Sequence, residues 1–141
     1  MSGTAIMRAL LAADATVSAL VPANRIRLGG LPQGTALPAI SISTVYADEF
    51  RTAARNNPNK QMRERVQVTV YTAQDTGSLG YTQLKTILKA CALGRGVKTG
   101  QVVGFYVNSV LPESENPEIP PGDDKIYEQS RDFMVTFVEA N

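Results

Sequence analysis

Few residues in this chain carry side chains that perform reactions. The 141-residue sequence holds no histidine, no tryptophan and one cysteine, Cys91. Without an imidazole, Ser-His-Asp and Cys-His catalysis and His-bearing metal sites are excluded, and a single thiol excludes a disulfide within the chain. Cys91 ends an apolar helical stripe, where a thiol acts as a small hydrophobe. Residues 94–100 (Gly-Arg-Gly-Val-Lys-Thr-Gly) have the composition of a phosphate loop. They lack its G-x-x-x-x-G-K-[ST] spacing and follow a helix instead of opening one, so a turn is expected. Carboxylates gather at Glu118, Asp123, Asp124 and Glu128. Such oxygens could hold a hard cation or work as an acid–base pair. The spacing fits no EF-hand loop, and no pattern marks these groups as desolvated. A solvated acidic loop is the favoured reading, a small carboxylate hydrolase the remote one. No cofactor and no metal are expected.

The formal net charge is only +1, from 14 basic and 13 acidic residues. A general electrostatic grip on nucleic acid is therefore not the main activity. The charges are separated, however: residues 1–70 carry a net +4 and residues 71–141 a net −3. The basic excess lies in Arg51, Arg55, Lys60, Arg63 and Arg65. The acidic excess lies in Glu113, Glu115, Glu118, Asp123 and Asp124, within or beside the proline-stiffened stretch Pro112–Gly122. One use of the first cluster is DNA phosphate contact, although no aromatic residue interleaves it for base stacking. Another is a head-to-tail contact in which the basic segment of one subunit meets the acidic segment of the next; heterologous contacts of that kind close into rings. These ten residues are the candidate subunit interface.

The elements that must position these clusters follow from periodicity. Ile6, Leu10, Ala13, Val17, Leu20 and Val21 mark one face of a helix over about residues 4–21, stopped at Pro22, with Asp14 able to cap a second turn and kink it. A short extended piece at Arg25–Leu28 and a turn-rich loop follow. From Ala39 the sequence alternates, with Ile40, Ile42, Thr44 and Tyr46 on one side. Residues 51–59 carry no period. Met62, Val66, Val68 and Val70 then alternate with Arg63, Arg65, Gln67 and Thr69, which predicts a long hairpin with a basic tip loop over 48–61. Asp75 or Thr76 can cap a second helix with the stripe Leu84, Ile87, Leu88 and Cys91, Lys85 and Lys89 on its wet side, ended by Gly94. Residues 101–111 are apolar on both faces, as in a central strand, and 112–124 form the Pro/Glu-rich loop. Ile126–Val138 is the last strand. This order predicts one α+β domain over 1–141, a small antiparallel sheet with a long β-hairpin and two main helices packed on one face. No run approaches the roughly 20 apolar residues of a membrane span, and the apolar stretch Ala9–Ala13 is too short for a secretory core.

The run Ala9–Val21 leads to Arg25-Ile26 and then to Leu31-Pro32-Gln33-Gly34-Thr35-Ala36-Leu37-Pro38-Ala39-Ile40-Ser41-Ile42-Ser43. It resembles the tail-completion, or tail-terminator, family of long-tailed bacteriophages and phage-like particles. The likeness continues through Arg65-Val66-Gln67-Val68-Thr69-Val70-Tyr71 and is loose after residue 95. The resemblance implies a structural, non-enzymatic virion protein. It would form a homo-oligomeric ring, commonly a hexamer, at the neck or top of the tail, assembled in the host cytoplasm. Implied partners are the tail tube protein and the head–tail connector, with DNA passing through the lumen without sequence-specific binding and no membrane contact. The resemblance places subunit and tube contacts on the hairpin, residues 47–63. A head–tail connector ring (adaptor or stopper) is the alternative within the same biology. A DNA-binding module using the basic hairpin is the alternative outside it.

Overall fold

In the computed structural model the described residues are 2–32, 34–50, 59–74, 79–93 and 100–140. Two helices open the chain, α1 (Ser2–Ala13) and α2 (Ala15–Leu20), followed by a single 3-10 turn at Ala23–Arg25. The strands are β1 (Ile26–Leu28), β2 (Ala39–Phe50), β3 (Asn59–Ala73), β4 (Gly100–Val102), β5 (Phe105–Glu115) and β6 (Ile126–Ala140). Helix α3 (Leu79–Ala90) joins β3 to β4. The sheet order is β1-β2-β3-β6-β5-β4, with β1 parallel to β2 and every other pairing antiparallel. This is an α+β fold. Helices α1 and α3 pack on one face of the sheet, over Val66, Val68, Val70, Phe133, Val135 and Phe137.

The expected first helix divides at Asp14, whose carboxylate accepts hydrogen bonds from the backbone N–H of Thr16 (2.9 Å) and Val17 (3.1 Å). A capping carboxylate satisfies donors that a continuing helix would have used internally. The break rotates the buried stripe: Ile6, Met7 and Leu11 are fully buried, whereas Ala13, expected inside, is exposed. The long hairpin is present, paired from Ala39↔Tyr71 to Phe50↔Gln61. Its strands extend to Phe50 and from Asn59, further than the expected loop over 48–61; residues 51–58 lie outside the described residues. A bulge at Val45 breaks the alternation of β2. Thr44 pairs with Val66 on the helix side, but Tyr46 pairs with Arg65 on the opposite face. An extra residue in one strand reverses the facing of all that follow, so Tyr46 does not share a face with Ile40 and Ile42.

Residues 101–111 are not one central strand. Val103 and Gly104 have φ of 43° and 86°, the left-handed pair that closes a two-residue hairpin. β4 and β5 are thus a hairpin at the sheet margin, and β3 and β6 are central. β5 runs to Glu115, so Pro112–Glu115 belongs to a strand, and the loop itself spans 116–125. The stripe Leu84, Ile87, Leu88 and Cys91 is buried as expected. The proposed caps Asp75 and Thr76 and the terminator Gly94 lie outside the described residues. Gly80 in the first turn of α3 lies so close to β3 that a Cβ would strike the Ala73 carbonyl. Its own carbonyl accepts the buried Thr72 hydroxyl at 2.8 Å.

Candidate assembly interface

The sheet face away from the helices carries Arg63 and Arg65 of the candidate charges. Because directly opposed residues share a face, the rows of this surface follow from the strand pairing. One row is Tyr46, Arg65, Met134 and Leu111; the next toward the hairpin tip is Asp48, Arg63, Thr136 and Ser109. Toward the other end the face becomes small and polar, with Ser41, Ser43, Gln67, Thr69 and Ser130. Tyr46, Leu111 and Tyr106 are 40%, 42% and 49% exposed. Large side chains left in water together on one sheet face mark a surface suited to contact.

The basic residues of the hairpin are not a free cationic cluster. Arg65 Nε donates to Asp132 Oδ2 at 2.8 Å. That bond raises the guanidinium further above its ordinary value, with smaller contributions from Tyr46. Asp132 is buried and also accepts from Asn116 Nδ2 at 3.1 Å. Arg63 Nη2 reaches Asp48 Oδ2 at 3.5 Å, an exposed pair of the kind that contributes little to stability. Lys60 is half-buried and stands opposite Glu139. Arg51 and Arg55 lie outside the described residues.

The acidic candidates are dispersed. Glu113 and Glu115 are exposed on β5, where Arg131 bonds the Glu113 carbonyl (3.3 Å) and the Glu115 carboxylate (3.4 Å). Glu118 reaches the helix side. It accepts from Tyr81 Oη at 2.7 Å and pairs with Lys85 Nζ at 2.5 Å. The bond to Lys85 and then that to Tyr81 hold its carboxyl below the usual range. Burial, the largest single influence, pulls Lys85 down, but the bond to Glu118 together with the charges of Glu118, Tyr81 and Glu115 outweighs it and the net shift is upward. Lys85 also donates to Gln129 Oε1 at 2.6 Å, so it is a bridge between α3, β6 and the loop rather than a wet-side residue. Asp123 and Asp124 are exposed at the rim of a cleft of about 570 Å³ between the 31–37 loop and the 119–124 loop, floored by Tyr71 and Ile126. Glu128 lies in the same cleft. Among the described residues no group of three or more Cys, Asp or Glu is arranged to hold a metal ion. Burial pushes the Cys91 thiol up to about 12, so little of it is thiolate, the nucleophilic form, at neutral pH.

Glu64 was not among the sequence candidates. It is 1% exposed on the helix face of β3. It accepts from the Gly3 N–H at 3.1 Å and the Thr44 hydroxyl at 2.9 Å. A strand carboxylate thereby satisfies a donor at the N-terminus of α1, where negative charge is favoured. Gly3 permits the approach, since a Cβ there would lie 2.6 Å from Glu64 Cδ. The signal was present: Glu64 falls between Met62 and Val66 on the apolar phase of a period-2 strand.

Two comparisons bear on this architecture. The model of a family described as tail completion protein gp17 matches residues 5–108. A chain from the structure described as the virion of a native gene transfer agent (GTA) particle superposes with a TM-score of 0.65. That match covers 96% of this chain and 94% of that one at 14% identity, a likeness of fold. No curated protein sequence matches.

Proposed function

The chain belongs to the tail completion protein gp17 family, and from that premise we propose that it forms a ring that caps the finished tail tube and joins it to the head connector. A structural part in tail completion follows from the family. The six-copy ring with a DNA-sized lumen is the finer reading. The observation that carries it is the one-sided sheet: α1 and α3 cover one face, while Tyr46, Tyr106 and Leu111 stand exposed on the other. A protein that acts through contact needs such a surface and does not need a polarised pocket. The hairpin and the acidic residues Glu113, Glu115, Asp123 and Asp124 supply charged contacts that set register between neighbours. The place of action is the neck of the virion, with tube protein on one side and connector on the other, and DNA passing through without being read.

The test is assembly in cells lacking this protein, followed by addition of the purified chain. Tails of uncontrolled length that fail to join filled heads, restored by the added protein, are the expected result. Tails of normal length attached to heads in its absence would end this reading. Co-sedimentation with portal-bearing heads but not with purified tubes would instead assign the protein to the connector side.

A further inference from the structure

A second charged surface lies at the opposite margin of the sheet from the acidic strand β5. Arg8, Arg25 and Arg27 come together beside β1. Arg8 and Arg27 line one hollow of about 350 Å³, and Arg25 and Arg27 line an adjoining one of about 390 Å³ that shares Asn24. Two of the guanidiniums are held by backbone carbonyls: Arg8 Nε donates to Ile26 O at 2.9 Å and Nη2 to Ala23 O at 3.2 Å, and Arg25 Nη1 donates to Leu37 O at 3.5 Å. None of the three forms an ion pair with a carboxylate among the described residues. Their charge is ordered and unspent. At the far margin, β4 covers β5 only at Phe105–Val107. Glu113 and Glu115 therefore stand exposed on an open stretch of β5, Glu115 with Arg131 of its own chain 3.4 Å away.

We infer that Arg8, Arg25 and Arg27 of one copy receive Glu113 and Glu115 of the next copy of this chain. The inference rests on the ring reading and names its contact. Strand order puts the two surfaces at opposite lateral ends, as a head-to-tail interface requires. The pairing also puts them at one level. Leu28, Ile42, Val68, Arg131 and Glu115 form a single row across the sheet. Neighbours in a closed ring are related by rotation without translation along the axis. With strands running along that axis, residues on the same row face each other. Leu28 (48% exposed) and Leu111 add apolar area beside the charges.

Direct continuation of the sheet between copies is disfavoured. Pro112 lacks an N–H on β5, and the open stretch of β2 carries Asp48 and Glu49, which would meet Glu113 and Glu115 with like charge. The contact is made by side chains at the β1 end. The hairpin's Arg65 is committed to the buried Asp132 at 2.8 Å, whereas Glu115 has only a looser pair with Arg131 at 3.4 Å, half exposed on the carboxylate side, which a neighbour's arginine can share.

The experiment is charge exchange in the full-length chain, with Arg27→Glu, the pair Glu113→Lys and Glu115→Lys, and all three together. Each is scored for particle yield in cells lacking the native protein, and folding is checked by circular dichroism and thermal unfolding. Arg27, Glu113 and Glu115 are exposed, and the one pair the exchange breaks, Arg131–Glu115, is of the surface kind that contributes little, so folding is expected to be unchanged. Like charge across the contact should lower yield by about tenfold or more in each half-exchanged variant. The fully exchanged chain should recover most of it, as should an equal mixture of the two half-exchanged chains, which can alternate around an even-numbered ring. Wild-type yield from both half-exchanged variants would overturn the contact and leave the ring standing. Loss in both without recovery in the full exchange would overturn it too. If Arg27→Glu weakens binding to an arbitrary DNA duplex but spares assembly, the arginines serve phosphate and the inference fails. Normal particles without any copy of the protein would instead remove the ring reading itself.

Discussion

Replacing Glu64 tests the claim that a carboxylate on the central hairpin anchors the first helix. Glu64 accepts hydrogen bonds from Gly3 N–H at 3.1 Å and the Thr44 hydroxyl at 2.9 Å. Hydrogen bonds to a charged group contribute about 1.5–3 kcal/mol each. Glu64→Ala removes both and strands the Gly3 donor in a buried site, so a loss of about 3–5 kcal/mol is expected. That is a large share of the roughly 5–15 kcal/mol available to a domain. Glu64→Gln keeps the volume and one acceptor oxygen, and should cost about 2 kcal/mol. Urea denaturation of dilute protein, followed by far-UV circular dichroism, gives both values without interference from assembly. A second substitution isolates the contact. Gly3→Ala should destabilise the wild type, although alanine is the better helix former by about 1 kcal/mol, because its Cβ meets the Glu64 carboxylate. In the Glu64→Ala background the same change should be neutral or stabilising. Glu64→Ala within about 0.5 kcal/mol of wild type, or strict additivity with Gly3→Ala, would refute the anchoring role.

Val103 holds a left-handed conformation that a β-branched residue tolerates poorly. Val103→Asn should stabilise the β4–β5 hairpin by about 0.5–1 kcal/mol, read as a higher thermal midpoint; a lower midpoint contradicts the turn assignment. Glu118 has a depressed folded pKa, so its contribution is present above its unfolded value and is lost as the pH falls through the folded one. Acid should therefore loosen the contact between α3 and the 116–125 loop, beginning below about pH 5. Glu118→Gln should flatten the decline of the thermal midpoint in that range, and identical acid profiles for the two proteins would show that the pair contributes nothing.

Where one face of an element is buried, the sequence was readable. The alternation of Val66, Val68 and Val70 and the stripe from Leu84 to Cys91 predict what the core contains. Misreadings occurred where one residue changes the phase. Asp14 ends a helix whose apolar spacing continues past it. Val45 bulges and sends Tyr46 to the other face. Val103 occupies a turn position that asparagine or glycine normally announces, so two marginal strands read as one central strand. The interface was less legible for a different reason. Clustering along the sequence groups Arg63 with Arg65, but pairing across the sheet gives each its own carboxylate. Arg8, Arg25 and Arg27 are spread over 20 positions, and only the packing of α1 against β1 brings them together.

The strand made last, β6, lies between β3 and β5 in the middle of the sheet. Its register joins Ala73 to Ile126 and Asn59 to Ala140. The hairpin β2–β3 can close early, but its inner edge stays unsatisfied until residues 126–140 have left the ribosome. Completion of the sheet thus waits for residues 126–140 to be synthesised. A product interrupted before residue 126 would display a bare β3 edge and lack the floor on which α3 rests, which leaves it open to proteolysis and unfit to enter a particle. The topology therefore makes the two halves of the sheet, β1-β2-β3 and β5-β4, depend on one late strand to join them.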